Sequence, residues 1–342
     1  MMRIVIAGFG SVGRSLVSHI VERGLYEKFR IVAVLDSKGA ALNFEGFRKG
    51  ELRELLSTPR GGASTLEKAG RPGYTLIDVL AEVPADVLVE LTPSDYETGG
   101  AGLSHIRTAL HYGLHVVTAN KGPLVVAGKS LLEEAETRRV KLKFRATVMG
   151  GTPLIPLISS LRHSLVELEG VLNASTNYLI TRVEEGATFD EAFEEALRLG
   201  VLEADPTLDL GGIDPAAKLC ILALVLGREL RLSEIERDEV GEGIEEAVAT
   251  ASSKRVKLRY VATLHLEDGV WGEVRLKEVK AGDLLASVKG LENGVKLRTC
   301  ENEVFMKGLG GGGRATAEGV LEDLMDIYEE GFKGPNTLAT RE

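Results

Sequence analysis

Along the first 150 positions, apolar residues come in short runs that alternate with stretches of helical spacing. Residues 3–7 (RIVIA) form one run, ending in glycines, and residues 11–23 then bring Val12, Leu16 and Ile20 onto one helical face. Residues 31–35 (IVAVL), 86–91 (DVLVEL) and 115–118 (HVVT) are further buried-strand candidates. Helical stretches near 102–111 and 128–138 separate them, the second leading into a run at 141–146. Strands alternating with helices predict a parallel, doubly wound α/β sheet of the Rossmann type. Residues 60–73, with their Gly and Pro, read as an exposed loop.

The pattern changes after Gly150-Gly151-Thr152-Pro153. Helical spacing follows at 154–161, 189–199 and 215–226, then strand-like runs at 256–266, 270–279, 285–288 and 295–305. Strands grouped after helices predict a second, α+β domain. The expected division is 1–147 and 148–314, with a last helix at 315–330 returning to the first domain.

The 342 residues, 44% of them hydrophobic, suffice for two cores on a prior of about 100–200 residues per domain. No stretch approaches the roughly 20 apolar residues of a membrane span, and the N-terminus MMRIVIAGFG lacks the pattern of a secretory signal. A net charge of −10 argues against nucleic acid, which needs a basic face. A cytoplasmic protein with neither membrane nor nucleic-acid partners is expected. The two cysteines, Cys220 and Cys300, are far apart, and the six histidines form no metal-binding motif.

Gly8-Phe9-Gly10-Ser11-Val12-Gly13 is a GxGxxG loop between the first strand and the first helix. Glycines there permit the tight turn, let backbone approach a pyrophosphate and let helix pack on strand, while the helix N-terminus presents free N–H groups to the anion. Asp36 ends the second strand at the distance where an acidic residue meets the adenosine ribose and favours NAD. Ser37 and Lys38 follow at once, and Arg48 and Lys49 lie downstream. These are either phosphate ligands for NADP or a solvated loop, so the cofactor is written NAD(P).

Thr118-Ala119-Asn120-Lys121 sits where a strand ends and a helix begins, on the side where open α/β sheets bind ligands. Lys121 is either a donor to a reacting oxygen or an exposed lysine. In LEADPTLDLGGIDPAAK (202–218), Glu203, Asp205, Asp209 and Asp214 are accompanied by a single cation, Lys218. Asp214-Pro215 looks like an N-cap and first helical residue, with Lys218 one turn on. The segment is either a capped surface helix behind a solvated loop, or a pocket offering carboxylates to an ammonium and a lysine as acid. The polar run Asn173-Ala174-Ser175-Thr176-Asn177-Tyr178 offers hydroxyl and amide contacts, or a capping turn.

At these residues the chain resembles the homoserine dehydrogenases. GFGSVG, HVVTANKGPL, GVLNASTNYLI, LGVLEADPTLDLGGIDPAAK and GLGGGGRATAEGVLEDL follow one another as that family's motifs do, over most of the chain. The resemblance implies NAD(P)H-dependent reduction of L-aspartate 4-semialdehyde to L-homoserine, in a short form without a regulatory or aspartokinase domain. It also implies that Lys121 and Lys218 are catalytic, that Glu203, Asp209, Asp214 and Ser175 bind substrate, and that Thr92, Asn120 and Gly312 meet the cofactor. A homodimer through the second domain is implied as well.

Two positions depart from the family pattern. Val201 replaces an aromatic residue, and Arg145 stands where many members have a glutamate that serves a monovalent cation. The carbonyls of Val148 and Gly150 remain as candidate ligands for that cation, and the expectation is a site weakened or lost. The alternatives are a related dehydrogenase for another semialdehyde or hydroxy acid, and an NAD(P)-sensing protein without turnover. Retention of both lysines and the carboxylates speaks against the last.

Overall fold

The first strand, β1 (Met2–Ala7), is apolar at almost every position, so it can only lie buried on both faces, and five of its six residues do. The chain then turns through Gly8 into α1 (Ser11–Glu22), which buries Leu16, Val17 and Ile20. The computed structural model describes residues 1–202 and 205–332. They fall into two compact units: Met1–Gly151 with the segment beginning at Gly312, and Thr152–Gly311.

In the first unit β2 (Phe29–Asp36), β3 (Gly39–Leu42), α2 (Lys49–Ser57), β4 (Gly70–Pro72) and α3 (Leu76–Glu82) follow α1. Then come β5 (Val87–Glu90), α4 (Gly100–His111), β6 (His115–Thr118), α5 (Gly122–Thr137) and β7 (Leu142–Lys143). The seven strands lie in the order β4-β3-β2-β1-β5-β6-β7. From β2 to β7 every pair is parallel; β3 and β4 add an antiparallel edge. The order reverses at β1, which has β2 on one side and β5 on the other. The crevice beyond the carboxyl ends of β1 and β5 is therefore the switch point where such sheets bind ligands.

Residues 60–73 are not the exposed loop their composition predicts. They hold a short 3-10 turn, Ala63–Thr65, with Ala63 and Ser64 buried, and then β4 on the sheet edge, where Pro72 costs no ladder bond. The run at 141–146 contributes only the two residues of β7. Arg145–Thr147 turns into a 3-10 segment because Arg145 is drawn to a buried aspartate.

The second unit contains α6 (Leu154–Leu161), β8 (Leu165–Val171), α7 (Ala174–Glu184), α8 (Phe189–Leu199), α9 (Thr207–Leu210) and α10 (Ile213–Val225). β9 (Glu236–Arg237), α11 (Ile244–Ser253), β10 (Val256–His265), β11 (Trp271–Lys280), β12 (Glu292–Thr299) and β13 (Glu303–Leu309) complete it. Its sheet runs β13-β12-β8-β10-β11-β9 and is antiparallel except for β9. Leu258, Tyr260, Ala262 and Leu264 alternate along β10 and are all buried. On the other face, Lys296 pairs with Glu169 at 3.0 Å and Lys277 with Glu273 at 2.9 Å.

Two expected strands differ. The run at 285–288 is a 3-10 turn, Leu284–Ser287, capped by Asp283, its Leu285 packed with Val171, Val261 and Val279. The run at 295–305 is a hairpin, β12 and β13, because Thr299 closes a turn with Asn302. Finally α12 (Gly313–Glu329) belongs to the first unit, where Val320, Leu321 and Leu324 join the core that holds Leu16 and Ile20. Among the described residues no helix is long and apolar enough to cross a membrane.

Candidate active site

The expected site residues fall into two groups, one in each unit. In the first unit, Gly8 has φ of +102°, and a Cβ there would lie 2.5 Å from the carbonyl carbon of Leu91. A Cβ on Gly13 would lie 2.4 Å from the Gly8 carbonyl oxygen. Both positions thus need glycine, one for conformation and closeness, the other for helix-on-loop packing. Gly10 precedes α1 with no side-chain cap, leaving the first N–H groups of the helix for an anion. Phe9 is buried beneath the Arg14 guanidinium, and Val12 packs on the core. Gly313 lies so close to Ser11 that a Cβ would sit 2.3 Å from its hydroxyl, which brings Gly312, with φ of +95°, to the same loop. This cradle of glycine and free N–H fits a dinucleotide pyrophosphate.

At the end of β2 the Asp36 carboxylate accepts from the Lys38 N–H at 2.9 Å and the Ala63 N–H at 2.8 Å. Ser37 and Lys38 are exposed, and the Lys38 stem runs beside Gly61. Arg48 opens α2, with its N–H on Glu51, and the Lys49 ammonium lies 5.9 Å above the Tyr26 ring. The basic residue that approaches from elsewhere is Arg60. Arg14 is depressed by burial first and then by the charge of Arg60, with Asp36 acting the other way. Nothing in the spacing marked Arg60, which comes near only because the 60–73 segment folds against the sheet.

Beyond β5, a buried carboxylate missed in the sequence organises the expected cofactor residues. Glu90 is fully buried and accepts from the N–H and hydroxyl of Thr92 and from the Thr118 hydroxyl at 3.3 Å. Asn120 donates to the Thr92 hydroxyl at 3.3 Å and accepts from the Gly122 N–H at 3.0 Å. The N–H of Lys121 bonds the Ser94 hydroxyl at 3.1 Å, which places the lysine at the opening of α5. The signal for Glu90 was its place at the carboxyl end of a buried strand.

In the second unit, α10 begins at Ile213, not at Pro215. Gly212, with φ of +70°, takes the N-cap place because a side chain there would meet the Tyr260 hydroxyl at 2.2 Å. Asp214 is therefore the second helical residue and not a cap. The surface-helix reading also fails: α10 is buried from Pro215 to Ala223, and Lys218 is 6% exposed. The Lys218 ammonium donates to Asp214 at 2.7 Å and to the Leu172 carbonyl. Asn173, at the end of β8, donates to Asp209 at 2.6 Å and to Asp214 at 3.0 Å. Burial first, and Asp214 next, push the Asp209 carboxyl up from its ordinary value, while Asn173, Lys218 and Ser175 pull it back. The Ser175 hydroxyl donates to the Val201 carbonyl at 2.9 Å. Glu203 lies outside the described residues. Asp205 is turned to Thr207 and exposed.

The residues at the expected cation position do not fit a cation. Arg145 donates through Nε to Asp323 at 2.7 Å and through its N–H at 2.9 Å, and its guanidinium also pairs with Asp326. Burial raises Asp323 to about 6, against the pull of Arg145. The Gly150 carbonyl faces α12 so closely that a Cβ on Gly319 would lie 2.5 Å from it. Val148 is fully buried.

Two family models match, "Homoserine dehydrogenase, NAD binding domain" over residues 8–145 and "Homoserine dehydrogenase" over 154–325. The homoserine dehydrogenase of Methanocaldococcus jannaschii is 35% identical, with 96% of this chain and 98% of the relative covered. The NAD(+)-dependent homoserine dehydrogenase of Pseudomonas canavaninivorans is 32% identical over 96% of each. The crystal structure of a putative homoserine dehydrogenase from Archaeoglobus fulgidus superposes with a TM-score of 0.83, at 32% identity, covering 96% of this chain and 99% of that one. A hyperthermophilic archaeal homoserine dehydrogenase in complex with NADPH gives 0.80 at 30% identity, covering 96% and 98%. With both models matched in order and relatives aligned from end to end, the chain belongs to the homoserine dehydrogenase family.

Proposed function

We propose that Lys218 is the proton donor in the homoserine dehydrogenase reaction of this chain, the NAD(P)H-dependent reduction of L-aspartate 4-semialdehyde to L-homoserine. The observation that carries it is a buried ammonium held at two of its three hydrogens, by Asp214 and by the Leu172 carbonyl. A lysine with only a solvating task keeps its head in water. Here the head is anchored, and among the described residues one N–H is left for a substrate oxygen.

When bound, the nicotinamide supplies the hydride to the aldehyde carbon. Lys218 stabilises the oxygen as charge builds there and protonates it. Asp209 and Asp214, with Glu203, receive the substrate's ammonium. The Ser175 hydroxyl, beside both the Val201 carbonyl and Asp209, offers lone pairs to the same group. Lys121 adds a second positive charge for the reacting oxygen. Gly8 to Gly13 hold the pyrophosphate, and Asp36 the adenosine ribose, with Ser37 and Lys38 beside it. Thr92, Asn120, Lys121 and Gly312 meet the rest of the cofactor. Steady-state rates with homoserine, using NAD and NADP side by side, should give turnover with both. A folded, cofactor-binding chain that oxidises other hydroxy acids but not homoserine would overturn the assignment.

A homodimer through the second unit belongs to the same reading. Its support is the sheet face on which Glu169, Lys296, Lys277 and Glu273 form ion pairs, opposite the face that packs α7, α10 and α11. Light scattering at micromolar concentration should return twice the 36.7 kDa chain mass; a monomer would refute it.

A further inference from the structure

Asn173 performs two tasks with the two ends of one amide. Its Oδ1 caps α7, accepting from the Thr176 N–H at 2.8 Å and from the Thr176 hydroxyl at 2.9 Å. Its Nδ2 donates to Asp209 and to Asp214, on two different helices. An amide nitrogen carries two hydrogens and no acceptor site, so each hydrogen serves one carboxylate. The opposite orientation would set an oxygen against two carboxylates and an N–H against an N–H, so the chemistry fixes the amide as it stands. The side chain is 3% exposed, so water cannot substitute for either bond.

Capping alone does not require asparagine. Serine and aspartate cap as well, but neither offers two donors on the far side. Among the described residues, the groups bearing on Asp209 are Asp214 and Lys218 from α10, and Asn173 and Ser175 from the start of α7. Of these, Asn173 alone touches both carboxylates of the pair as a donor that cannot itself titrate.

We propose that Asn173 is a positioning residue of the dehydrogenase site, whose amide ties Asp209 to Asp214 and orients both carboxylates for the substrate's ammonium. This rests on the assignment of Asp209 and Asp214 to substrate binding. Through the second amide hydrogen, Asp214 is held in place for Lys218, so one neutral side chain sets the geometry of both the binding carboxylate and the proton donor's partner.

The test is Asn173→Ser, which keeps a capping oxygen and removes both donors, beside Asn173→Asp, which keeps the capping carbonyl and turns the donor end into an acceptor. Asp209→Asn serves as the control. In Asn173→Ser, KM for homoserine should rise at least about tenfold, the loss of one hydrogen bond to a charged group. The acid limb of kcat/KM should move to higher pH, because Asp209 loses a bond that favours its ionised form. KM for NAD(P) should stay within about twofold, while the melting temperature falls, because two buried carboxylates lose a donor, so rates are compared well below it. Asn173→Asp should displace the limb further. If Asp209→Asn raises KM for homoserine while both Asn173 variants leave KM and the limb unmoved, the proposal is overturned and the substrate assignment stands. If Asp209→Asn itself leaves KM unmoved, the assignment fails and the proposal with it. Should the added charge of Asn173→Asp prevent folding, Asn173→Ser decides alone.

Discussion

In the first unit, the groups expected to meet the cofactor are mostly glycines, backbone N–H groups and hydroxyls, with Thr92 and Asn120 organised by one buried carboxylate, Glu90. In the second, the groups expected to meet the substrate are carboxylates and an ammonium packed against one another out of water. Glu90 is satisfied by Thr92 and Thr118, neutral donors held on adjoining strand ends. Asp209 and Asp214 share an amide, and Asp214 a lysine, so removing one member leaves charge unbalanced in the rest. A cradle of backbone degrades gradually under substitution; a buried charge cluster does not.

The largest expected effect therefore lies in the second unit. Lys218→Ala removes the proposed proton donor, and kcat should fall by at least the lower end of the roughly 10²–10⁴-fold range of general acid catalysis. It also strands Asp214, and breaking a buried pair costs about 3–5 kcal/mol, so the melting temperature should fall as well. Turnover has to be measured well below that temperature, beside cofactor Kd, which should hardly change. Lys121→Ala supplies the contrast. It should lower kcat and also weaken cofactor binding, because its backbone N–H is tied to Ser94 in the cofactor unit. Near-normal kcat in folded Lys218→Ala would erase the distinction between the two halves.

A smaller effect is expected at Asp36. On the proposed reading its carboxylate faces a ribose or repels a phosphate, with Arg14, Arg60 and Lys38 nearby. Asp36→Gly should lower KM for NADP, relieved of a like charge beside the 2′-phosphate, by about tenfold, and should not lower KM for NAD, which loses a ribose contact. The Ala63 N–H loses its acceptor in that variant, so a modest loss of stability should accompany the change. If both constants stay put, the carboxylate is not at the adenosine ribose.

The same contrast governs what could be read from the sequence. The cofactor cradle was legible because backbone chemistry leaves a spacing: glycines at 8, 10 and 13 between a buried strand and a helix, and an acid at the end of the next strand. The substrate half was legible as a set of residues but not as an arrangement. Asp214-Pro215 carries the signature of a helix start, yet Gly212 and the Tyr260 hydroxyl begin the helix two residues earlier. β8, central to the second sheet, reads LVELEGV. Its charged Glu167 and Glu169 hide the strand until Lys296 and Arg298 of β12 are seen to neutralise them. Asn173 looked like a capping residue, which it is; its second task needs Asp209 and Asp214, 36 and 41 positions away. Arg60 was hidden for the same reason, inside a segment whose glycines and proline signal a loop.

The smallest expected effect is that of sodium or potassium, and it tests whether a third charged feature belongs with the neutral half or the charged half. The family resemblance would set a glutamate at position 145, with the carbonyls of Val148 and Gly150, around a monovalent ion. Here the side chain is a guanidinium, which stays protonated under all working conditions. Arg145 is bound to Asp323 and Asp326 on α12, so a fixed positive charge already joins the end of the first unit's sheet to that helix. The Gly150 carbonyl is turned to Gly319, where only the missing Cβ leaves it room. A mobile cation would meet repulsion from the guanidinium and find one of its carbonyl ligands already packed against a helix. Activity in a cation-free preparation, with ionic strength kept constant by choline chloride, should thus match activity with added sodium or potassium to within about twofold, since no bound ion is there to shift the folded equilibrium. Arg145→Ala should behave differently, losing the fixed charge beside Asp323 and with it the roughly 3–5 kcal/mol of stability of a broken buried pair, read as a lower melting temperature. A parent enzyme whose activity climbs steeply as sodium is added would show that Arg145 swings away from Asp323, and that the first unit keeps an ion after all.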